Sequence, residues 1–168
     1  MKDEITIKPL ELENKKEYLD LFSKLLLDDF PEYGKKTKDF IFNEQKTLYN
    51  QKIQSPREFM FGAFKNGVLS GIIEGGFVGG GVSYISWLLV HPDFQRKGVG
   101  KSLLHECENR LIGKGIHSVH LYSSKWNNPY YEKMRFELVG LYKNGWYGSS
   151  DYMFSKTIQE PKEENFLK

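Results

Sequence analysis

The sequence predicts an α/β protein, in which strands and helices are interspersed along one chain of 168 residues. Two observations lead to this fold class. Segments of alternating or continuous apolar residues, typical of strands, are mixed with segments whose apolar residues recur at helical spacing. Near the middle of the chain, a strand-like run passes through a glycine turn directly into a helix-like run, and this order is typical of α/β folds.

The N-terminal third contains one predicted strand and two predicted helices. Alternation predicts the strand over residues 5–10. Apolar residues at helical spacing predict helices over 13–30 and about 36–53. Pro31 ends the first helix because proline cannot continue one, and Ser55-Pro56 ends the second.

Three predicted strands follow, separated by glycine turns. They span residues 59–64, 69–77 and 85–90. Asn66-Gly67 lies between the first two and suits the positive φ angles of a hairpin turn. Glycines 79–81 form the second turn, so these strands are expected to lie side by side.

The C-terminal part continues the alternation of helices and strands. Its predicted elements are a helix from Lys101 to about Gly113, a strand over 119–122, a short helix over 129–135, and two closing strands over 136–142 and 152–157. We expect a single domain over residues 1–158. The polar C-terminal tail, 159–168, is expected to be frayed.

Composition and charge exclude several kinds of protein. The formal net charge of +2 is too small to indicate a nucleic acid or a membrane surface as a partner. Cys107 is the only cysteine, which excludes an intrachain disulfide and a thiolate metal cage, so no metal is expected. No apolar run could span a bilayer, and the first residues show no signal-peptide pattern. We therefore expect a protein of the reducing cytoplasm.

The segment from residue 85 to residue 104 carries the strongest chemical signal. Its strand stops at Pro92, because proline cannot donate a ladder hydrogen bond, and helical spacing begins at Lys101. A helix N-terminus leaves backbone N–H groups without partners, and the helix dipole also favours an anion there. Gly98 and Gly100 have no Cβ atoms, so a phosphate can approach the main chain closely.

This turn resembles the acetyl-CoA signature of the GCN5-related N-acetyltransferase (GNAT) superfamily, Gln/Arg-x-x-Gly-x-Gly/Ala. It stands here as Gln95-Arg96-Lys97-Gly98-Val99-Gly100. The short pattern alone is weak, but a strand before it and an amphipathic helix after it make it specific. The alternative is an ordinary strand–turn–helix corner. The order of predicted elements also matches the superfamily over nearly the whole chain.

The resemblance implies a fold, a cofactor and a set of contacts. The fold is the GNAT fold, a central twisted mixed β-sheet with helices on both faces, and the cofactor is acetyl-CoA (CoA). In that fold the strand before the glycine turn and the strand after the following helix splay apart, and the pantetheine arm pairs with the first. The residues expected to bind the cofactor are Leu88, Leu89, Val90, Gln95, Arg96, Lys97, Gly98, Val99, Gly100, Lys101, Ser102 and Asn127.

The run from Trp126 to Phe136 resembles a later GNAT motif, aromatic-Tyr-x-Lys-x-Gly-Phe, which opens a short helix. Tyr131 falls where many family members place a catalytic tyrosine. A phenol with a pKa near 10 is protonated at neutral pH and can donate a proton to a departing thiolate. Tyr130 is the competing candidate. Arg135 replaces the usual glycine, which predicts a different turn at the end of this helix.

The asparagines before this helix have two interpretations. The family's motif asparagine often contacts the pantetheine or the phosphate region, although it usually lies further upstream of the tyrosine. Asn127 is carried over on that basis. The residues themselves are equally compatible with Asn128 as a helix cap, followed by Pro129 at the first helical position.

Transfer to an amine also requires a base. A lysine-like amine has a pKa near 10.4 and is almost entirely charged at neutral pH, so a group must accept its proton directly or through water. Glu74 is the candidate, because it lies in the strand next to the one expected to hold the thioester, and partial desolvation there would raise the pKa of a carboxylate. The alternative is a solvated strand residue. His91 and His120 are further candidates for the base.

The acceptor is expected to lie against the two N-terminal helices and the glycine loops at 79–81 and 145–148. These segments combine aromatic rings with carboxylates, which suits an aliphatic or polyamine cation. The residues are Phe30, Tyr33, Phe40, Trp146 and Tyr147, with Asp28, Asp29 and Glu32. Exposed C-terminal strands often need covering, so the sequence is also compatible with a homodimer.

The resemblance therefore implies an acetyl-CoA-dependent N-acetyltransferase that moves an acetyl group directly to a primary amine of a small molecule or peptide. One alternative is a non-catalytic acyl-CoA-binding sensor with the same fold. Another is a nucleotide-binding α/β protein that uses the turn for a different phosphate. The turn lacks Gly-x-x-x-x-Gly-Lys-Ser/Thr and the third glycine of the dinucleotide fingerprint, which disfavours this second alternative.

Overall fold

The computed structural model describes residues 5–28 and 30–167. Within them the strands and helices follow the predicted order, with one further helix near the C-terminus. They are β1 (Ile5–Pro9), α1 (Lys15–Asp28), α2 (Lys35–Gln54), β2 (Glu58–Lys65), β3 (Val68–Gly79), β4 (Val82–Val90), α3 (Val99–Gly113), β5 (Ser118–Ser123), α4 (Asn128–Lys133), β6 (Glu137–Tyr142), β7 (Asp151–Thr157) and α5 (Glu163–Phe166).

The described strands form one seven-stranded sheet in the order β1-β2-β3-β4-β5-β7-β6. The sheet is mixed. β4 runs parallel to β5, because α3 makes the crossover that a parallel pair requires. β1 is antiparallel to β2, and β7 is antiparallel to both β5 and β6. The predicted α/β class, with a mixed sheet and helices on both sides, is confirmed.

By its internal contacts the chain divides into two compact units. The first consists of Met1–Glu74 and Trp87–Glu106, and the second of Gly75–Ser86 and Cys107–Lys168. Each unit is therefore assembled from two separate stretches of sequence. The expectation of a single domain over 1–158 stays a prediction. No helix in the described part of the chain is both long and apolar enough to cross a membrane.

The core of the first unit positions the glycine turn. α1 and α2 bury the apolar residues that recur at helical spacing, including Tyr18, Phe22 and Tyr49, against β2, β3 and β4. α3 packs closely at Gly71 of β3. A Cβ atom added there would lie 3.0 Å from the carbonyl oxygen of Leu89, and Val99 Cγ1 would be just as near. This close approach holds the start of α3 against the strands of the first unit.

The core of the second unit includes Cys107, which is fully buried. The expectation of a frayed tail is wrong for the described residues. Gln159 Nε2 donates to the carbonyl oxygens of Ile116 at 2.7 Å and Ile112 at 3.2 Å. α5 then packs its Phe166 ring 5.3 Å from the ring of His117. The polar composition of residues 159–168 predicted a mobile tail, but these two hydrogen bonds and this ring contact hold it in place.

Candidate active site

The glycine turn presents backbone donors at the start of α3. The first helical hydrogen bond runs from Ser102 N to Gly98 O at 2.9 Å. The amides of Val99, Gly100 and Lys101 therefore precede the first intrahelical donor. Gly98 has a φ of +86°, and a Cβ atom built on it would meet nothing within 4 Å. The turn is thus lined by main chain and open at Gly98.

Three cationic side chains accompany this turn. Arg96, Lys97 and Lys101 are all exposed. Arg96 has a φ of +58°, in the left-handed region that non-glycine residues occupy at some cost. Lys97 Nζ lies 6.0 Å from the centre of the Phe94 ring. Positive charge and main-chain donors on one turn favour an anion such as a pyrophosphate.

Gln95 and the end of β4 are held together by one hydrogen bond. Gln95 Nε2 donates to the carbonyl oxygen of Val90 at 3.1 Å. The ladder between β4 and β5 pairs Val82–Ile85 with Ser118–Leu121. Leu88 and Val90 lie beyond the last of these pairs, in the part of β4 where the resemblance implies that the two strands splay apart. Leu89 is buried in the core of the first unit, whereas Leu88 and Val90 are half-buried. The side chain of Leu89 therefore packs in the core, and the cofactor contact expected of its backbone stays a prediction.

Glu74 is buried rather than solvated. It lies in the middle of β3, and its side chain is 1% exposed. Lys52 Nζ contacts its Oε1 at 2.6 Å, and the hydroxyl of Tyr18 donates to its Oε2 at 2.9 Å. The interpretation of Glu74 as a solvated strand residue is therefore wrong. Both carboxylate oxygens hold hydrogen bonds, as buried charge requires.

The surroundings of Glu74 form a polar network inside the first unit. Gln45 Oε1 accepts from the hydroxyl of Tyr18 at 3.2 Å and from Lys52 Nζ at 2.8 Å. Burial, followed by the negative charge of Glu74, raises the pKa of Tyr18 well above its ordinary value. The same two causes raise the pKa of Tyr49. The tyrosines beside this carboxylate are therefore neutral at physiological pH, and Lys52 provides its counter-charge.

Tyr131 belongs to the core of the second unit. It is 8% exposed, and its ring lies 5.8 Å from that of Phe136 and 5.5 Å from that of Phe154. Burial raises its pKa above the ordinary value, the neighbouring Tyr130 adds to this, and a side-chain hydrogen bond with Ser123 opposes it. Tyr131 is thus a protonated phenol with an engaged hydroxyl.

Tyr130 has different surroundings. Burial raises the pKa of Tyr130 to about 12. Its hydroxyl oxygen is buried and has no hydrogen-bond partner among the described residues. The same holds for Oδ1 of Asn128 at the start of α4. Buried polar atoms without partners are rare and indicate a missing ligand or water. The sequence indicated Asn128 only as a helix cap and not as a residue with an unpartnered buried oxygen.

The two asparagines differ from the capping prediction. α4 begins at Asn128, so Asn128 is the first helical residue and not the cap. Asn127 occupies the cap position, but its side chain makes no cap hydrogen bond. Its Nδ2 instead donates to Ser124 Oγ at 3.4 Å. Asn127 is exposed, and its assignment to cofactor binding stays a prediction.

Arg135 does not change the turn at the end of α4, contrary to the prediction. Its φ is +65°, the left-handed conformation that glycine adopts at this position of a helix end. Phe136 N donates to the carbonyl oxygen of Tyr131 at 3.0 Å, and their rings are in contact. This bond and this apolar contact define a Schellman motif. The backbone geometry therefore overrides the residue preference.

The two histidines proposed as alternative bases lie in different units. Burial lowers the pKa of His120, whose ring lies near those of Tyr84 and Tyr122. It is therefore neutral at pH 7. His91 lies at the end of β4, where its Nδ1 accepts from the amide of Asp93 at 3.2 Å. Neither histidine contacts Glu74 in the described hydrogen bonds.

The residues expected at the acceptor are only partly brought together. In the first unit the rings of Phe30 and Tyr33 stack with centres 5.8 Å apart, and Trp87 meets Phe30 edge-on at 5.7 Å. Asp29 and the side chain of Asp28 lie outside the described residues. The expected residues that are exposed are Glu32, Phe40, Trp146 and Tyr147, of which the last two belong to the second unit.

The glycine turn of the first unit fits a ligand that carries phosphates. The open turn at Gly98 offers main-chain donors and positive charge in the first unit. In the second unit, the orphan atoms of Asn128 and Tyr130 offer hydrogen bonds to a polar ligand. Among the described residues, no group of three His, Cys, Asp or Glu side chains is placed to hold a metal ion.

Comparison with known proteins gives one consistent result. An acetyltransferase of Pectobacterium atrosepticum is 30% identical over 102 residues, which is 58% of this chain and 71% of that protein. The PaiA N-acetyltransferase of Thermoplasma acidophilum, solved with coenzyme A, is 22% identical, with a TM-score of 0.79 over 92% of this chain and 99% of that one.

A second solved structure has the same fold. The ribosomal-protein-S18-alanine N-acetyltransferase of Escherichia coli is 20% identical, with a TM-score of 0.75 over 95% of this chain and 97% of that one. The model of the acetyltransferase (GNAT) family matches residues 19–136, which is more than half of the chain. The chain therefore belongs to the acetyltransferase (GNAT) family and is an acyltransferase.

Proposed function

We propose that the chain is an acetyl-CoA-dependent N-acetyltransferase that transfers an acetyl group directly to a primary amine of a small molecule or peptide. The observation that carries this proposal is the open, main-chain-lined turn at Gly98, with three amides ahead of the first helical hydrogen bond of α3. The family membership supports acyl transfer, and the coenzyme A in the PaiA structure supports the cofactor.

The cofactor contacts follow from the backbone of the first unit. The amides of Val99–Lys101 bind the pyrophosphate, and Arg96 and Lys97 add positive charge. The backbone of Leu88–Val90 orients the pantetheine arm and polarises the thioester carbonyl. Ser102 closes the turn through its bond to Gly98, and Gln95 fixes the end of β4 through Val90.

The transfer needs one base and one acid. When bound, acetyl-CoA supplies an acetyl group activated as a thioester. Glu74 takes the proton of the acceptor ammonium through an intervening water, because both of its oxygens already hold hydrogen bonds. The amine nitrogen then forms a bond to the acetyl carbon while the carbon–sulfur bond breaks. Tyr131, kept protonated by burial, donates its proton to the departing sulfur, and the proton that the new amide nitrogen releases returns to the oxygen of Tyr131.

Calorimetric titration tests the cofactor site. Acetyl-CoA and CoA are expected to bind with micromolar affinity, and ATP and NAD to bind more weakly. Gly98→Glu should abolish binding, because it places a negative side chain in the turn. Gly67→Glu is the matched control, since Gly67 also has a positive φ (+79°) and open space around it, but lies in the β2–β3 hairpin. A preference for ATP or NAD would contradict the proposal.

Steady-state kinetics test the acid and the base. An amine screen that detects CoA release comes first, and a chain that binds acetyl-CoA without releasing CoA with any amine would be the non-catalytic sensor. Tyr131→Phe should lower kcat by about 100-fold, within the usual range for a general acid. Tyr130→Phe tests the competing candidate on the same helix. A loss of rate in Tyr130→Phe alone would move the acid to Tyr130.

Glu74→Gln should lower kcat/KM, because a neutral amide cannot accept the proton, with the affinity for acetyl-CoA unchanged. An unchanged kcat/KM would remove Glu74 from the mechanism. We also propose a cytoplasmic location, because the single cysteine, Cys107, is buried and suits a reducing compartment.

A further inference from the structure

A cavity of about 530 Å³ lies in the first unit and is lined by residues of β1, β2, the turn after β2 and the start of α1. This volume is within the range of small-molecule sites. β2 and β3 separate β1 from β4 in the sheet. Since neighbouring strands are about 5 Å apart, β1 lies roughly 15 Å from the strand that leads to the glycine turn. The cavity is therefore distinct from the proposed acetyl-CoA site.

The pairing of β1 with β2 builds the floor of this cavity. Thr6 faces Phe64 in the register of the two strands, and Lys8 faces Gly62. Gly62 has no side chain, and a Cβ atom added to it would lie 2.9 Å from Cε2 of Phe64. The ring of Phe64 therefore occupies the space beside Gly62, and Lys8 Nζ lies 4.6 Å from the centre of this ring. The contact holds the ammonium group of Lys8 at the cavity.

Asn14 and Glu17 supply polar groups from the start of α1. The side chain of Asn14 is buried, and its Oδ1 accepts a hydrogen bond from the amide of Glu11 at 3.0 Å. This bond fixes the orientation of the side-chain amide, whose Nδ2 donates to Oε2 of Glu17 at 3.4 Å. The amide nitrogen carries two hydrogens. In the described part of the chain, one N–H of Asn14 therefore stays available to a ligand.

The two charges of the cavity have opposite signs. Lys8 and Glu17 both line it, yet among the described residues neither forms an ion pair. A ligand with a single charge would be attracted by one of them and repelled by the other. A free amino acid carries one charge of each sign at neutral pH, because its carboxyl pKa is about 3.5 and its amino pKa about 8. Such a molecule satisfies both groups.

We propose that this cavity binds a free amino acid in its zwitterionic form. The carboxylate of the ligand contacts the ammonium group of Lys8 and accepts the available N–H of Asn14, since an ammonium group cannot accept a hydrogen bond. The ammonium group of the ligand contacts the carboxylate of Glu17. The inference concerns a second site, and it does not depend on the proposed acetyl transfer.

Saturation-transfer NMR with each of the common L-amino acids tests the site. At least one of them is expected to bind the wild-type chain with a Kd below about 1 mM. Its deaminated and decarboxylated analogues, which each keep a single charge, should bind at least about tenfold more weakly. Equal binding of either analogue would contradict recognition of both charges. Absence of binding by every amino acid at about 10 mM would overturn the proposal.

Charge reversal tests whether binding occurs in this cavity. Lys8→Glu and Glu17→Lys should each weaken binding at least about tenfold, because the cavity then carries two like charges. The double variant again offers one charge of each sign and should recover binding, a result that a loss of folding would not give. Lys16→Glu and Glu13→Lys are the matched controls, since both residues are exposed nearby and do not line the cavity.

The same variants separate this proposal from the proposed function. The affinity for acetyl-CoA should be unchanged in all of them, because the cavity lies away from the glycine turn. Amino-acid binding that is indifferent to Lys8→Glu and Glu17→Lys would overturn the proposal, whatever the affinity for acetyl-CoA.

Discussion

At the scale of single residues, Glu74 shows how a buried charge is tolerated. Taking a carboxylate out of water is costly unless a counter-charge and hydrogen bonds replace the solvent. Here Lys52 supplies the charge, and Tyr18 and Lys52 each donate to one oxygen. The side chain of Lys52 is 16% exposed, so the lysine of this ion pair remains partly accessible to water, whereas Glu74 does not. The carboxylate, on β3, is therefore stabilised by side chains of two neighbouring elements, α1 and α2.

A double-mutant cycle tests this ion pair. Glu74→Gln and Lys52→Met should each lower the free energy of unfolding by about 3 kcal/mol, because each leaves a buried group without its partner. The double variant should lose clearly less than the sum of the two. Urea unfolding monitored by circular dichroism measures all four proteins. Lys35→Met is the control, since the Lys35–Asp39 pair is exposed and should contribute less than about 0.5 kcal/mol.

Burial of the tyrosines also predicts how stability depends on pH. The pKa of Tyr130 is raised from 10.0 to about 12, and those of Tyr18, Tyr49 and Tyr131 are raised as well. Above pH 10 the tyrosines of the unfolded chain lose their phenolic protons, whereas those of the folded chain keep them. The free energy of unfolding is therefore largest below pH 10, and it falls as the pH rises towards the pKa values of the tyrosines in the folded chain. Urea midpoints measured from about pH 8 to about pH 12 should show this fall, with a smaller slope in Tyr130→Phe. An equal slope in that variant would contradict the assignment.

At the scale of elements, the end of α4 shows backbone geometry prevailing over residue preference. Arg135 adopts a φ of +65° because the bond from Phe136 N to Tyr131 O and the contact of their rings close the helix in this way. A side chain in this conformation costs about 1–2 kcal/mol relative to the right-handed region. The Schellman motif therefore forms with Arg135 at the position that glycine usually occupies, and the backbone of Arg135 is strained.

Relief of that strain is measurable. Arg135→Gly should raise the free energy of unfolding by about 1 kcal/mol, because glycine adopts positive φ without a Cβ penalty. Arg135→Ala is the control, since it removes the charge and keeps the Cβ atom, and it should give no gain. Thermal unfolding at matched pH provides the comparison. A gain in both variants would place the effect in the guanidinium and not in the backbone.

The attachment of α5 to the second unit gives a further prediction. A Cβ atom on Gly115 would collide with the carbonyl oxygen of Asn165, and Gly115 has a φ of +78°. Gly67 has nearly the same φ, +79°, with nothing within 4 Å of an added Cβ. Gly67→Ala therefore measures backbone strain alone, about 1 kcal/mol. Gly115→Ala should cost clearly more and increase amide hydrogen exchange in α5. Equal costs in urea unfolding would show that α5 does not pack there.

At the scale of the whole molecule, ligand binding and stability are linked. Acetyl-CoA at 100 times its Kd should raise the free energy of unfolding by about 2.7 kcal/mol, since it binds only the folded chain. Gly98→Glu should remove this gain, and Gly67→Glu should keep it. Thermal unfolding with and without acetyl-CoA measures the effect independently of turnover. A chain that gains nothing from acetyl-CoA would contradict the proposed cofactor site.

Much of the fold followed from local patterns in the chain. The order of strands and helices and the hairpin at Asn66-Gly67 were predicted and are found, and the helix predicted from Lys101 begins two residues earlier, at Val99. These features depend on the periodicity of apolar residues and on turn residues within a few positions. The family resemblance, confirmed by the match over residues 19–136, depends on short motifs of the same local kind.

The partners of the candidate site residues were decided by tertiary packing. Glu74 meets Lys52 and Tyr18, which are 22 and 56 positions away in the sequence, and no local pattern indicates such neighbours. The different surroundings of Tyr130 and Tyr131 also depend on side chains from other elements. Periodicity determines which residues form each element. Burial, charge pairing and unpaired atoms arise only when distant elements meet, because electrostatic and packing energies depend on distances in space.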